Sequence, residues 1–144
     1  MAEDIKADIR RFYEEVVEKG NLDVIDELCT PDFVEHEQVP GVEGEGTEVV
    51  RQFFTIWRNA FPDTRVEVHH ILVDGDMAAV HCTFAATHTG DWMGMPPTGK
   101  QFRMPLFDLL RFEGGKAAEH WGVADVAGMM QQLGAMPAPA GVSL

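Results

Sequence analysis

With 144 residues, 45% of them hydrophobic and 24% charged, the chain has the size and composition of one globular domain with its own core. Its formal net charge of -13 excludes nucleic acid and anionic membranes as natural partners, because such binding depends on Lys and Arg displacing counterions. Two cysteines, Cys29 and Cys82, are too few for a disulfide framework and suit a reduced, cytoplasmic setting. The opening Met-Ala-Glu-Asp-Ile-Lys is not a basic start followed by an apolar run, and no stretch reaches the ~18 apolar residues of a membrane span, so neither export nor insertion is expected.

Ile5, Ile9, Phe12, Tyr13, Val16 and Val17 recur at three- and four-residue spacings, which predicts an amphipathic helix over 3–19 that stops at Gly20. Asn21 can cap a shorter helix whose Leu22, Ile25 and Leu28 form a buried stripe before Pro31. "PDFVEHEQVPGVEGEG" then reads as an extended and turning segment. Thr47 is the expected cap of a third helix, with Val49, Val50, Phe53, Phe54, Trp57, Ala60 and Phe61 on a broad apolar face ended by Pro62.

From residue 65 the period becomes two. Strands are predicted over 65–73, 77–88, 101–112 and 116–125, with Asp74-Gly75-Asp76 and Glu113-Gly114-Gly115 as turns. Hairpin connections imply an antiparallel sheet. "TGDWMGMPPTGK" is a Gly- and Pro-marked loop carrying Trp92 and Met93, and a short helix over 126–133 closes a single domain of residues 1–136 ahead of a flexible tail, 137–144. Three helices followed by strands define an α+β domain with helices on one sheet face, an arrangement that leaves room for a blind pocket.

None of the six histidines falls in a recognised ligand spacing: His69 and His70 are adjacent and expected on opposite strand faces, and alternation separates His36 from Glu35 and Glu37. No metal site is assigned. A GxSxG elbow is absent, and "GVEGEG" is acidic and lacks a phosphate-cradling lysine, which disfavours serine nucleophiles and nucleotides.

Asp125 is the leading chemical candidate. Alternation places it on one face with Trp121 and Val123, where an aromatic wall would raise its pKa above ~3.9 and suit it to general acid/base work. It could equally cap the last helix by accepting from the amide of Ala127 or Gly128, and the pattern alone leaves both roles open. A two-residue turn at Gly114-Gly115 would set Asp125 opposite Met104. A glycine bulge would set it opposite Arg103, bring Phe107 and Leu109 beside Trp121 and Val123, and pair His120 with Asp108. The bulged register is preferred for its coherent apolar face. His120 is then turned away from Asp125. His36, His88 and Trp92 lie on or beside loops that could cover a pocket mouth, and Met129 and Met130 are core fillers that also suit a pocket for flat molecules.

"VEHEQVPG", "FPD", "GMPPTGKQFRMPLFDLLRFEGGKAAEHWGVAD" and "MMQQLG" together resemble the SnoaL-like polyketide cyclases, or ester cyclases, of the nuclear transport factor 2-like superfamily, over about residues 5–134. The resemblance implies a cone-shaped α+β barrel with N-terminal helices packed on a curved antiparallel sheet, commonly a homodimer or larger oligomer. It further implies an apolar pocket for a small aromatic, carbonyl-containing ligand and ring closure by intramolecular aldol condensation without cofactor. In such cyclases an aspartate after the histidine-tryptophan segment is the acid/base, and Asp125 matches it; His120 and Trp121 match the motif. The site expected from motif and residues together has Asp125 and His120 as catalytic groups, with His36, Trp57, His88, Trp92, Arg103, Phe107 and Trp121 around the ligand.

Two other functions fit the same residues. Epoxide hydrolysis would need a carboxylate–arginine–carboxylate set, to which Arg103 and Asp125 could contribute. A binding or dimerisation module would keep the pocket without chemistry, and an exposed or helix-capping Asp125 would favour it.

Overall fold

A computed structural model describes residues 1–137. The expected tail, beyond Pro137, lies outside the described residues. Helix α1 (Ala2–Arg11) buries Ile5 and Ile9, with Glu3 and Asp4 in its first turn and Arg10 and Arg11 in its last, which matches the signs of the helix dipole. It continues as a π-helix, Phe12–Glu18, that buries Tyr13, Val16 and Val17, and the Lys19 amide closes a five-residue step onto the Glu14 carbonyl at 3.0 Å. The wider turn re-aims Tyr13 relative to α1, a common use of π segments near functional sites. Gly20 exits with φ 76°, and the Arg58 guanidinium donates to the Val17 and Glu18 carbonyls at 2.8 Å each, satisfying acceptors that the helix end leaves open.

Helix α2 (Val24–Leu28) is preceded by Asp23 rather than capped by Asn21. The following segment is not merely extended: Cys29–Glu35 forms strand β1 at the sheet edge, where Pro31 is tolerated. Helix α3 (Thr47–Ala60) begins one residue after Gly46, whose φ of 68° makes the turn; Thr47 is its first residue instead of its cap. Its Val50, Trp57 and Ala60 are buried.

Strands β2 (Arg65–Asp74), β3 (Met77–Thr87), β4 (Gln101–Glu113) and β5 (Lys116–Ala124) follow the predicted periods closely. The sheet order is β1-β5-β4-β3-β2. β2 to β5 pair antiparallel, but β1 lies parallel to β5, so the sheet is mixed and not purely antiparallel. One face carries the helices and the core. Helix α4 (Val126–Gln132) is clipped to β4 by Gln132, which accepts from the Arg103 amide at 2.8 Å and donates to its carbonyl at 2.9 Å. No helix among the described residues is long and apolar enough to cross a membrane.

The β4–β5 register departs from both expected alternatives. Glu113 pairs with Lys116 and Phe112 with Ala117, as a two-residue turn requires, and then Ala118 bulges so that Arg111 pairs with Glu119 and Leu109 with Trp121. The Asp125 amide consequently donates to the Pro105 carbonyl at 3.0 Å. Both Ala117 and Ala118 are buried, and side-chain alternation restarts beyond them. A second bulge, at His69 between Val68 and His70, defeats the expectation that His69 and His70 face opposite ways: both are exposed and both rings lie against His81, at 4.9 and 5.3 Å.

Candidate active site

The helices and the inner sheet face enclose a cavity of about 660 Å³. Its apolar wall includes Phe53, Phe54, Trp57, Phe84, Met104 and Leu106. Its polar groups include the carboxylates of Asp8, Glu35, Glu37, Glu43 and Asp108, the phenol of Tyr13 and the amide of Gln38; His120 is the only basic side chain among the lining residues described.

After the Ala118 bulge, even-numbered residues of β5 point inward, so His120 faces the cavity instead of turning away. Asp108 reaches it from the next strand, across the diagonal of the ladder. His120 Nε2 lies 2.6 Å from Asp108 Oδ1 and Nδ1 lies 2.5 Å from Glu35 Oε2. A neutral imidazole has one N–H and could donate to only one of these carboxylates; an imidazolium serves both. Burial by itself lowers the His120 pKa, but hydrogen bonds to Asp108 and Glu35 and the charges of both outweigh it and bring it to about 10. His120 is therefore a cation at neutral pH.

Tyr13 completes the cluster by donating its hydroxyl to Asp108 Oδ2 at 2.6 Å. Burial, reinforced by the Asp108 charge, pushes the phenol well above its ordinary pKa, so it remains a donor. Helix, two inner strands and edge strand β1 thus each supply one member of a chain Tyr13–Asp108–His120–Glu35. Glu37 lies beside it, with burial raising its carboxyl above the ordinary range against the opposing pull of His120.

Asp125 is elsewhere. It is exposed, is not among the cavity-lining residues, and caps α4, its Oδ1 accepting from the Gly128 amide at 2.9 Å. The burial expected for it fails because the face it shares with Trp121 and Val123 is the outer one. Trp121 is no cavity wall: it stacks on His36 at 4.7 Å with the rings 2° from parallel. His36 lies on the outer side too, its Nε2 2.6 Å from Glu119 Oε2, and covers no mouth. Phe107 is 60% exposed and stacks on His81 at 4.6 Å. Arg103 is exposed and holds Glu67 through two bonds of 2.8 and 2.7 Å, away from Asp125.

Trp57 does line the cavity, with its Nε1 donating to Thr64 Oγ1 at 2.9 Å. Trp92 sits one layer behind, buried against Trp57 and Phe61 at 5.3 and 5.1 Å. His88 is fully buried beside Phe61, and its Nδ1 accepts from the Thr98 amide at 3.2 Å. It ties down the loop before β4 and does not reach the cavity. Met129 is core and also stands apart from the lining residues.

Sequence reasoning passed over Tyr13, Glu35 and Glu37, and set Asp108 on the wrong face. Two signals pointed to them. Asp108 is a lone carboxylate in the apolar run "PLFDLLRF", and Glu35 and Glu37 flank His36 at the spacing that puts both on one side of an extended chain.

The small α+β domain thus holds a largely apolar cavity with a bridged cluster of ionisable side chains among its lining residues. The family model for SnoaL-like polyketide cyclases matches residues 7–133, and the chain belongs to that family. Nogalonic acid methyl ester cyclase of Streptomyces nogalater is 28% identical over 116 residues, covering 80% of this chain and 87% of the relative. Aklanonic acid methyl ester cyclase AcmA of Streptomyces galilaeus is 27% identical over 135 residues, 93% of this chain and 92% of the relative. Among solved structures, IdmH from Streptomyces antibioticus superposes with a TM-score of 0.77 at 31% identity, covering 90% of this chain and 98% of IdmH.

Proposed function

We propose that this chain catalyses cofactor-independent aldol-type ring closure of an uncharged, polyketide-like carbonyl compound, at the His120 cluster and not at Asp125. The observation that carries this reading is the His120 ring bridging Asp108 and Glu35 at 2.6 and 2.5 Å among the residues that line an apolar-walled cavity of about 660 Å³. Aldol closure needs a base for a proton next to a carbonyl, a field that tolerates the enolate, and an acid for the new alkoxide. A floor carboxylate can accept and return the proton, and the fixed positive charge offsets the enolate without reorganising. With five carboxylates lining the cavity, an esterified ligand suits it better than a free acid. The two cyclase relatives are named for methyl esters.

Epoxide hydrolysis loses its support, since Arg103 is engaged by Glu67 on the outer face and no arginine lines the cavity among the described residues. The binding-module reading gains from the exposed, capping Asp125 but leaves the ionic cluster without a purpose. Nogalonic and aklanonic acid methyl esters distinguish the two: cyclisation appears as a product of unchanged mass and altered retention, and α-proton loss as deuterium exchange by proton NMR. Asp125→Asn keeps a capping side chain and should retain full turnover. Binding without exchange or product would establish the module and overturn the cyclase reading, and turnover lost in Asp125→Asn would return the chemistry to Asp125.

The homodimer that the resemblance implies has a matching surface. Leu72, Phe107 and Val123 on the outer sheet face are 69, 60 and 76% exposed, an unusual apolar display for a monomer. Two acids on this face are paired, Glu67 with Arg103 and Glu119 with Arg111, which lessens the like-charge repulsion that a second copy of a chain carrying -13 meets here. Phe107→Glu with Leu72→Glu is expected to sediment as a monomer while the unsubstituted chain sediments as a dimer. A reduced, cytoplasmic location fits the free, buried Cys29 and Cys82.

A further inference from the structure

We propose that Glu37 is the catalytic residue that abstracts the substrate proton, and that the bare Cα of Gly122 provides the space in which its carboxylate meets His120. The inference rests on the cyclase reading above and assigns the base within it.

The two carboxylates that hold His120 are committed to that bridge. Asp108 gives one oxygen to His120 and the other to Tyr13, and Glu35 Oε2 takes both His120 and, at 3.3 Å, the Glu37 amide. The Glu37 side chain makes no hydrogen bond to the protein among the described residues, yet it lines the cavity. Its backbone is pinned by Glu35 while its oxygens stay available, which is the condition a base for an incoming C–H must meet.

Gly122 marks the point at which the two groups converge. A Cβ at position 122 would lie 2.6 Å from Glu37 Oε2 and 2.8 Å from His120 Cε1, closer than real Cβ atoms come. The Gly122 backbone is not left-handed, so its conformation does not call for glycine. What calls for it is the convergence of a carboxylate and an imidazolium on the same point of β5. The raised carboxyl pKa of Glu37, which burial causes, agrees with a base of more than ordinary carboxylate strength.

In the reaction, Glu37 takes a proton from the carbon between two carbonyls; the C–H bond breaks, an O–H bond forms on Glu37, and the electron pair passes into the enolate. The enolate carbon bonds to the carbon of a third, remote carbonyl of the same substrate as that C=O π bond opens to an alkoxide. Glu37 then returns the proton to that oxygen. Atoms and electrons balance within substrate and Glu37, and the net change is an isomerisation.

The test follows deuterium exchange into ethyl benzoylacetate, above the protein-free rate, across pH. Glu37→Gln is expected to lower the catalysed exchange about 100-fold, to remove the acidic limb of the rate–pH profile, and to leave KM nearly unchanged. Glu37→Asp should recover part of the rate, and Gly122→Ala should lose rate with Glu37 still present. Because a carboxyl whose pKa is raised on folding costs stability above its unfolded pKa, Glu37→Gln should unfold at the same or a higher temperature at pH 7. Exchange in Glu37→Gln at the unsubstituted rate with the acidic limb intact would overturn the assignment while leaving the cyclase reading standing. A fall in rate matched by a fall in unfolding temperature, with no recovery in Glu37→Asp, would make Glu37 structural. No catalysed exchange by the unsubstituted chain would overturn both.

Discussion

His120→Leu is expected to unfold with about 3–5 kcal/mol less stability near pH 6, the usual cost of removing one partner from a buried ionic cluster, and to lose about 100-fold or more in catalysed exchange. Leucine fills similar space but leaves Asp108 and Glu35 facing one another with no cation between them. The pH dependence identifies the cause. The His120 pKa stands at about 10 in the folded chain against ~6.5 in an unfolded one. A raised folded pKa gives stability that is fully present below pH ~6.5 and is lost as pH rises through about 10. Urea unfolding of the unsubstituted chain at pH 6, 8 and 10 should therefore show stability declining over that window by an amount of order 3–5 kcal/mol. The gap to His120→Leu should narrow over the same range. Proton NMR supplies a direct check, with the His120 ring signals staying at their protonated shifts until about pH 10. Ring signals that move near pH 6.5, or a stability gap that does not change with pH, would mean that the imidazolium bridge is not what holds the cluster.

The same cluster marks where sequence patterning stops being informative. Helix α3 and the hairpins of β2 to β5 were legible because their periods are clean and Gly75, Gly114 and Gly115 take the positive φ values that tight hairpin turns demand. Strand β1 was not: its "CTPDFVE" carries a proline and no sustained alternation, and its pairing with β5 is parallel and far in sequence. The face assignment failed for a more physical reason. Phe107, Leu109, Trp121 and Val123 do form one apolar face, as the sequence suggested, but that face points outward. The inner face of β4 is apolar as well, with Met104, Leu106 and Phe112 buried, so period-two patterning alone does not tell which apolar face of this strand is the buried one. The single-residue bulge at Ala118 then shifts the pairing, and no composition cue announces it. The resemblance fixed the family and fold, whereas the proposed acid/base moved from Asp125 to residues that only three-dimensional register could bring together.

Trp57→Ala should be the most damaging single change to the core. Trp57 is 2% exposed and meets five aromatic partners, Phe53, Phe61, Phe84, Trp92 and Phe102, with ring centroids 4.6 to 6.1 Å away. Truncating a buried aromatic of this size typically costs about 3–5 kcal/mol, combining lost transfer energy with a void that neighbours fill only in part. The indole also donates to Thr64 Oγ1, and that hydroxyl in turn donates to the Phe61 carbonyl at 2.6 Å, so the bond clamps the end of α3 to the residues leading into β2. Trp57→Phe keeps an aromatic ring and loses the hydrogen bond, for an expected cost nearer 1–2 kcal/mol, roughly that of one unmatched buried polar group. Denaturant unfolding of the two variants should separate these contributions. The cavity reads out the same change from the other side, because Trp57 is part of its wall. In Trp57→Ala the enlarged void should weaken positioning of an aromatic ester and lower the cyclisation rate while the His120 ring signals still titrate near pH 10. If both the rate and the His120 titration collapsed together, the aromatic wall and the ionic floor would be one cooperative unit; if neither moved, Trp57 would be core alone and the ligand would bind nearer the mouth.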